Sequence, residues 1–586
     1  MHFFRFRLAL YILVIAAVFL CLQTKFNLLG ANGKPLIAEP DFGNNVVIID
    51  PSMPKSTVQN IIDNIFKQQQ SNQFGNNRYA ILFKPGIYNN LVRVGFYTQL
   101  MGLGQTPDEV TINGGVQADA AWYDGDATQN FWRGAENINV IPSSGTMKWA
   151  VSQASPLRRL HVRGNIVLDD NSWSSGGFMS DTLVDNQINS GMQQQWLSRN
   201  SRWGSWNGSN WNMVFVGDDD FVSGSNWPNP PNTVLKDTPI IREKPFLTID
   251  NKGNYFVFVP ALSKKSHGVT WLNGKSNGVS VPISKFYIAK ASIDSASTIN
   301  EALSKGKHIL FTPGIYKLND TIRVTKADTI ILGLGIATLQ AATGQPAMTI
   351  ADVDGVKLAG ILFDAGSINS DVLLQIGTNG SKVSHAINPT SLHDVFFRVG
   401  GAGPANATVS LRINSNNVIG DDLWLWRADH GEGVGWTTNN STNGLVVNGD
   451  DVTIYGLAVE HFQQYQTVWN GNGGSVYFYQ SEAPYDVPDQ KSWMNGKVNG
   501  FASYKVADSV ISHKAWGIGI YCYFSTNPDV KLQNAIEAPN SKIGLNGAMF
   551  HDMTTVSLGG TGEITHVIDG WGSAANQSFQ VIRLAK

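Results

Sequence analysis

The sequence predicts an all-β protein made of two tandem right-handed parallel β-helices packed side by side, and three observations carry that expectation. The chain of 586 residues holds 59 glycines and breaks into short apolar runs separated by turn residues, a pattern of many strands and little helix. One ordered set of elements occurs twice, at the start of each half. After each copy, apolar runs recur at roughly the 20 to 50 residue period of solenoid repeats.

Taken in order, residues 1–30 read as an export leader or an N-terminal anchor. His2, Arg5 and Arg7 precede an apolar run from Leu8 to Leu22, short for a membrane span and suited to the hydrophobic region of a secretory signal. Lys25 follows the run and no A-x-A cleavage site does, which keeps the anchor open. Secretion is expected, with no membrane association of the mature form. Cys21 lies in the leader, so cleavage leaves Cys522 alone; no intrachain disulfide can then form, and burial must hold the fold. Cys522, in WGIGIYCYFS without a basic neighbour, reads as packed core.

Residues 36–235 are assigned to the first β-helix. Here Ser56-Thr57-Val58 opens STVQNIIDNIFKQQQ, which leads to AILFKPGIY at 80–88 and MGLG ending at Gly104. The second β-helix, 286–586, repeats the order: Ser297-Thr298-Ile299 opens STINEALSKG, followed by HILFTPGIY at 308–316 and LGLG ending at Gly335. Each copy reads as N-cap, short helix, strand, Pro-Gly turn, strand and Gly turn. The matching order implies two homologous domains, each with a helix capping the first coil so that no sheet edge is left open. In the second half DGVKLAGILFDAG, LHDVFFRVGG, DDLWLWRAD, DDVTIYGLAVEHF and GSVYFYQSE each supply a strand and its turn. Parallel stacking buries one face continuously and gathers the loops on one side. A β-propeller is the competing architecture, disfavoured by the uneven run lengths.

Between the domains, 236–285 is assigned to linker and loops. The wider stretch 200–285, with RWGSWNGSNWN, GSNWPNPPNTV and WLNGKSNGVSV, is rich in turn pairs that do not sustain strands. Trp203, Trp206 and Trp211 in it read as packed side chains, with a stacking sugar subsite as the alternative.

Composition narrows the function. A formal net charge of −2 and 15% charged residues lack the electrostatic footprint of a nucleic-acid binder and suit a neutral substrate. Asp429, His430 and Glu432 in ADHGEG, and the glycines of WNGNGG, match no zinc, EF-hand or phosphate-loop spacing, so no metal, nucleotide or other cofactor is expected. No G-x-S-x-G elbow stands between a strand and a helix. Arg158-Arg159 reads as surface charge, and a monomer is expected.

The candidate site lies in 444–486, GLVVNGDDVTIYGLAVEHFQQYQTVWNGNGGSVYFYQSEAPYD. VTIYGLAVE ends in Glu460 followed by His461, and SVYFYQSE ends in Glu482 before Ala483-Pro484, so both carboxylates fall at strand ends where sites are built. Trp469, Tyr477, Tyr479 and Tyr485 surround Glu482 in sequence. Aromatic faces stack on sugar C–H faces, and a carboxyl kept protonated by apolar surroundings can give its proton to a glycosidic oxygen. Glu482 is therefore the candidate general acid. His461 and the four aromatic residues are candidate substrate contacts.

VEHFQQYQTVWNGNGG followed by YFYQSEAPYD resembles the core of glycoside hydrolase family 55, the β-1,3-glucanases built from two parallel β-helices, and KPGIY, SQASPLRRLHVRG and YKVADSV extend the likeness over most of the chain. The resemblance implies a β-1,3-glucan substrate, exo action releasing glucose or short oligosaccharides, Glu482 as proton donor and Glu460 as a second carboxylate of the same pocket. It further implies that Gln153 and Ser175, which by sequence alone are turn formers, hold the attacking water, so that the anomeric centre inverts. Val151 departs from a preceding family position, which a backbone carbonyl would still serve.

Two other readings remain in view. A polysaccharide lyase of the same fold would need a basic residue as base and clustered carboxylates for Ca²⁺, and neither stands near the aromatic pocket. A non-catalytic carbohydrate-binding surface protein could use the same fold, but would be marked by loss of the acid that Glu482 supplies.

Overall fold

The computed structural model describes residues 39–219, 227–274, 276–539 and 549–585; the leader assigned to 1–30 lies outside them. In the first unit, strands from Val46–Ile49 through Tyr79–Phe83, Thr98–Gly102, Arg133–Pro142 and Leu157–Val162 to Asn232–Leu235 stack in chain order, each parallel to the last. In the second, a twelve-stranded and a nine-stranded sheet take strands alternately: Ile330–Ala341, then Met348–Ile350, then Lys357–Ala365, then Ser370–Ile376, and onward to Phe550–Gly559 and Glu563–Ile568. Strands that alternate between sheets while each sheet pairs in parallel describe a coil, and such crossovers are right-handed. The protein is thus a pair of right-handed parallel β-helices. Val581–Leu584 closes the last edge of the larger sheet by pairing antiparallel with Phe550–Gly559.

The two sequence copies do the same structural work. Helix Lys55–Gln69 buries Val58, Ile62 and Ile65 on the end of the first core, and helix Ala296–Ser304 buries Ile299, Ala302 and Leu303 on the second. The second helix begins one residue earlier than its Ser-Thr-Ile signal: Ser295 is the cap, accepting from the Thr298 N–H at 3.4 Å while its own N–H donates to Thr298 Oγ1 at 3.0 Å. The Tyr of each PGIY is equivalent as well. Tyr88 donates its hydroxyl to the carbonyls of Lys84 (2.7 Å) and Ile49 (3.1 Å), and Tyr316 to those of Thr312 (3.0 Å) and Ala289 (2.7 Å). Each clamps its Pro-Gly turn to the preceding strand. Tyr88→Phe and Tyr316→Phe are expected to cost about 1 kcal/mol each in urea unfolding; a loss at one site with none at the other would break the equivalence.

Seven successive strands of the larger sheet, from Lys357–Ala365 to Phe550–Gly559, each carry one residue with φ between 50° and 70° at the same level: Gly360, Asp394, Asp422, Gly456, Phe478, Gly517 and Asp552. The ladder skips this residue and resumes, as between Ala359↔His393 and Ile361↔Val395, so a ridge of stacked bulges runs along the sheet. A matching series, Asn137, Arg159, Asp181 and Asn200, lies in the first unit. The bulge shifts the in-out alternation. In Gly474–Glu482, Val476 and Tyr479 enter the core, while Tyr477 and Phe478 face the first unit. At Gly517 (φ 64°) an added Cβ would lie 2.2 Å from Val214 Cγ2, so the close approach of the two units there requires glycine.

Where the units meet, Arg158 and Arg159 are buried, which corrects their reading as surface charge. Arg158 donates to Asp394 Oδ1 (2.8 and 2.6 Å) and to Asp421 Oδ2 (2.7 Å); Arg199 forks onto Glu243 (2.6 and 2.8 Å) and onto Asp421 (3.0 Å to each oxygen); Lys244 joins Glu136 to Asp394; Arg159 pairs with Asp181 at 2.9 Å. Burial opposes the charge on Asp421, but Arg199 and Arg158 hold its carboxyl far below the ordinary range.

The stretch 200–285, read as irregular, folds into strands. Arg202–Asn207, Asn212–Val216 and Asn232–Leu235 complete the first sheet, Thr238–Arg242 pairs antiparallel with Leu262–Ser266, and Phe246–Ile249, Tyr255–Pro260 and Gly278–Pro282 form an antiparallel sheet. Leu247 and Val257 from that sheet pack with Leu82 and Met101 of one unit and Leu310 and Leu332 of the other. Apolar alternation, hidden among Asn, Gly and Pro, decided the outcome. Trp203 lies in the first core with Trp206 against it. Cys522 is buried, and burial pushes its thiol up to about 12.

Candidate active site

Glu460 and Glu482 end strands Thr453–Glu460 and Gly474–Glu482 and stand on adjacent rungs, with Trp426 on the rung before and Tyr521 on the rung after. Both strands carry a bulge, and this turns Glu482 to the face of Gln480, toward the first unit, instead of into the core. Glu482 accepts from Gln480 Nε2 at 3.2 Å through Oε1 and from the Tyr485 hydroxyl through Oε2. Glu460 is buried and accepts on both oxygens: from Trp424 Nε1 at 2.8 Å and from Gln153 Nε2, across the interface, at 2.7 Å.

Gln153 meets Glu460 from the first unit, and Ser175 lies beside Gln153. The Ser152 hydroxyl lies within hydrogen-bonding reach of both Gln153 Oε1 and the Ser175 carbonyl, and Ser175 Oγ accepts from Gln195 Nε2 at 3.0 Å. Between them Gly176 has φ 82°, and a Cβ there would stand 3.1 Å from Gln153 Cγ. Its lack of a side chain lets the amide lie beside the Ser175 turn. Val151 enters only through its carbonyl, which accepts from Gln193 Nε2 at 3.2 Å.

Burial raises the carboxyl pKa of Glu460 far above the ordinary range, and the neighbouring Glu482 adds to it. Burial also raises Glu482, against the opposing effects of His461 and the Tyr485 hydroxyl. Two carboxyls one rung apart in a largely dry cleft cannot both ionise at low cost, so the pair retains a proton where an exposed glutamate has lost it. Asp429 differs: although burial acts to raise it, His461 and His430 hold it at about 2. Its Oδ1 lies 2.9 Å from His430 Nδ1 and 3.9 Å from His461 Nε2.

Of the five candidate substrate contacts, two are at the site. Tyr485 touches Glu482, and His461 packs on Tyr485 with ring centroids 4.4 Å apart. Trp469 and Tyr479 are instead core residues, Trp469 stacked on Tyr504 and Tyr479 donating to the Ser503 carbonyl at 2.8 Å. Tyr477 is stacked between Tyr455 and Trp516 away from the carboxyls. Proximity along a strand does not survive its alternation, and the bulge at Phe478 changes which tyrosine faces where. The rings packed behind Glu460 come from elsewhere and are buried. Phe131 and Trp132 of the first unit pack on Trp424 (4.7 and 5.5 Å), which stacks on Trp426 (5.1 Å), and Gln73 Nε2 meets His430 Nε2 between the units. Aligning DDLWLWRAD with TIYGLAVE and VYFYQSE by register would have set Trp424 and Trp426 beside Ala458 and Glu460. Among the described residues no group of His, Cys, Asp and Glu has the arrangement of a metal site.

Comparison with known proteins agrees with this geometry. The LAM55 pectate lyase-like domain profile matches residues 286–482. An exo-beta-1,3-glucanase from Streptomyces sp. (strain SirexAA-E / ActE) is 47% identical over 565 residues, 95% of this chain and 92% of that protein. The chain belongs to glycoside hydrolase family 55. It is accordingly a glycoside hydrolase, as the sequence predicts. The solved structure of sacteLam55A from Streptomyces sp. SirexAA-E superposes with a TM-score of 0.90 at 46% identity, covering 94% of this chain and 99% of that one. An ensemble refinement of a glutamate-to-alanine variant of sacteLam55A in complex with glucose matches equally well. Membership in family 55 disfavours the lyase and the non-catalytic alternatives.

Proposed function

We propose that this family 55 enzyme is an exported, inverting exo-β-1,3-glucanase acting as a monomer on laminarin-like glucan. Glu482 is the general acid: its raised pKa keeps the proton that the leaving oxygen needs. Gln153 and Ser175 hold the attacking water. The observation that carries the reading is that these two come from the wall opposite Glu482, and the walls converge where Gln153 meets Glu460. Water held there approaches the sugar from the face away from the acid, which is inversion. Exo action is supported by the likeness to the Streptomyces exo-beta-1,3-glucanase. The substrate follows from the kinship with the Streptomyces exo-beta-1,3-glucanase, and export from the leader at residues 1–30.

A retaining mechanism is the second reading, because neighbouring rungs stand about 4.8 Å apart, close to the roughly 5–5.5 Å carboxyl separation of retaining enzymes. Glu460 is poorly placed for it, being buried with both oxygens engaged. Proton NMR of the first sugar released from laminarin distinguishes the two: the α anomer is expected, and the β anomer would establish retention with Glu460 as nucleophile.

A further inference from the structure

We propose that Arg427 and Asp486 are a positioning pair for the general acid: Arg427 ties three successive loops together so that Tyr485 stays on Glu482. The inference rests on the acid role given to Glu482 above. Arg427 ends strand Ile419–Arg427 and is fully buried. All five N–H groups of its guanidinium donate: Nε to the Asn439 carbonyl at 2.8 Å, Nη1 to the His461 carbonyl at 3.1 Å and Asp486 Oδ1 at 2.9 Å, and Nη2 to the Gly435 carbonyl at 3.1 Å and Asp486 Oδ2 at 2.7 Å. Gly435 and Asn439 lie in the loop after that strand, His461 in the loop after Thr453–Glu460, and Asp486 in the loop after Gly474–Glu482. These strands are neighbouring rungs. A planar fork can hold a carboxylate and three carbonyls at once, whereas a lysine has three donors on a single atom.

The clamp takes Tyr485 from two sides. Asp486 follows it in the chain, and His461 packs its ring on that of Tyr485. The His461 N–H donates to the Glu482 carbonyl at 2.9 Å, and its Nδ1 lies 3.2 Å from the Ala483 carbonyl oxygen. Tyr485 in turn donates its hydroxyl to Glu482 Oε2. A hydroxyl donor favours the charged carboxylate, so this bond strengthens as Glu482 gives its proton to the leaving oxygen. It offsets part of the upward shift that burial imposes on the acid. The other titratable groups acting on Glu482 are His461, Asp429, Glu460 and Tyr521, and a substitution at Asp486 alters the chemistry of none of them.

The test measures kcat, KM and their pH dependence on laminarin in the full-length enzyme. Asp486→Asn keeps the shape but gives up the bidentate charge pair, and is expected to lower kcat by roughly three- to tenfold with KM little changed. The alkaline limb should move upward by roughly half to one pH unit, because a weakened Tyr485 bond leaves Glu482 a weaker acid. In a Tyr485→Phe background the same substitution should add little, since the bond it steadies is already gone. Asp371→Asn breaks the exposed Arg412–Asp371 pair of the second unit and should leave every readout at wild type. Arg427→Lys is expected to lose more than Asp486→Asn; should it fail to fold, Asp486→Asn alone decides. Wild-type kcat and an unmoved limb in Asp486→Asn, or a loss fully additive with Tyr485→Phe, overturns the positioning pair while leaving the glucanase reading in place. Full turnover in Glu482→Gln overturns the acid reading and the pair with it.

Discussion

Replacing Glu482 by Gln should lower turnover on laminarin by about 10²–10⁴ with the fold intact. The amide matches the carboxyl in volume and can still accept from Gln480 or Tyr485, but it cannot protonate the departing oxygen. The pH profile supplies a second check. Burial raises the Glu482 pKa; with Glu482 as the proposed acid its protonated form is the active one, so kcat/KM should hold on the acidic side and fall as pH rises through a value above the ordinary 4.5, and the Gln variant should lack that limb. Linkage has the same sign. The folded enzyme binds this proton more tightly than the unfolded chain, so Glu482 lowers stability as pH rises from the ordinary carboxylate pKa through the raised one. Glu482→Gln should therefore be at least as stable as the parent at neutral pH. Retention of more than about a tenth of wild-type turnover would remove Glu482 from the acid role.

Asp421→Asn should destabilise the protein by about 3–5 kcal/mol. Asp421 is fully buried and accepts from Arg158 and Arg199 together. Asparagine keeps the shape but leaves two guanidinium groups short of a counter-charge in the dry interface, and its own N–H₂ turns toward donors. The cost comes from stranding those charges rather than from the net worth of the pairs. Its pH dependence is opposite to that of Glu482. The Asp421 pKa is depressed on folding, so its contribution is present above the ordinary carboxylate value of 3.8 and is lost as pH falls below it toward the depressed value. Activity should fall with stability, because Gln153 and Glu482 belong to different units and their juxtaposition depends on this interface. Urea unfolding of the two proteins at neutral pH decides the matter: a difference below about 1 kcal/mol would mean that the surrounding charges reorganise around the loss.

The limits of the sequence reading lie at particular residues. Glu482 could be singled out because its local surroundings, a strand end before Ala-Pro among aromatic residues, already limit what it can be. The repeat could be found because helix, strand and Pro-Gly turn are local events, and Tyr88 and Tyr316 close the same turn in the same way. Trp469, Tyr477 and Tyr479 were misplaced because side-chain direction in a strand depends on every bulge before it, and the bulge at Phe478 leaves no mark in composition. Arg158 misled for a different reason: it finds its partners Asp394 and Asp421 more than 230 residues away, and no local pattern distinguishes an arginine that pairs across an interface from one in water.

Short-range rules acting along the chain are enough to specify two copies of one capped coil, a parallel β repeat, a neutral substrate and a glutamate among aromatic residues. Which groups face one another is a property of the folded molecule alone. Folding set Glu460 and Glu482 on adjacent rungs, brought Gln153 from the other unit to within 2.7 Å of Glu460 and packed Phe131, Trp132, Trp424 and Trp426 together behind Glu460. A coil fixes the neighbours of each residue through register and bulges, and packing fixes the opposing wall; both are sums over the whole chain, whereas a motif records only its own few residues.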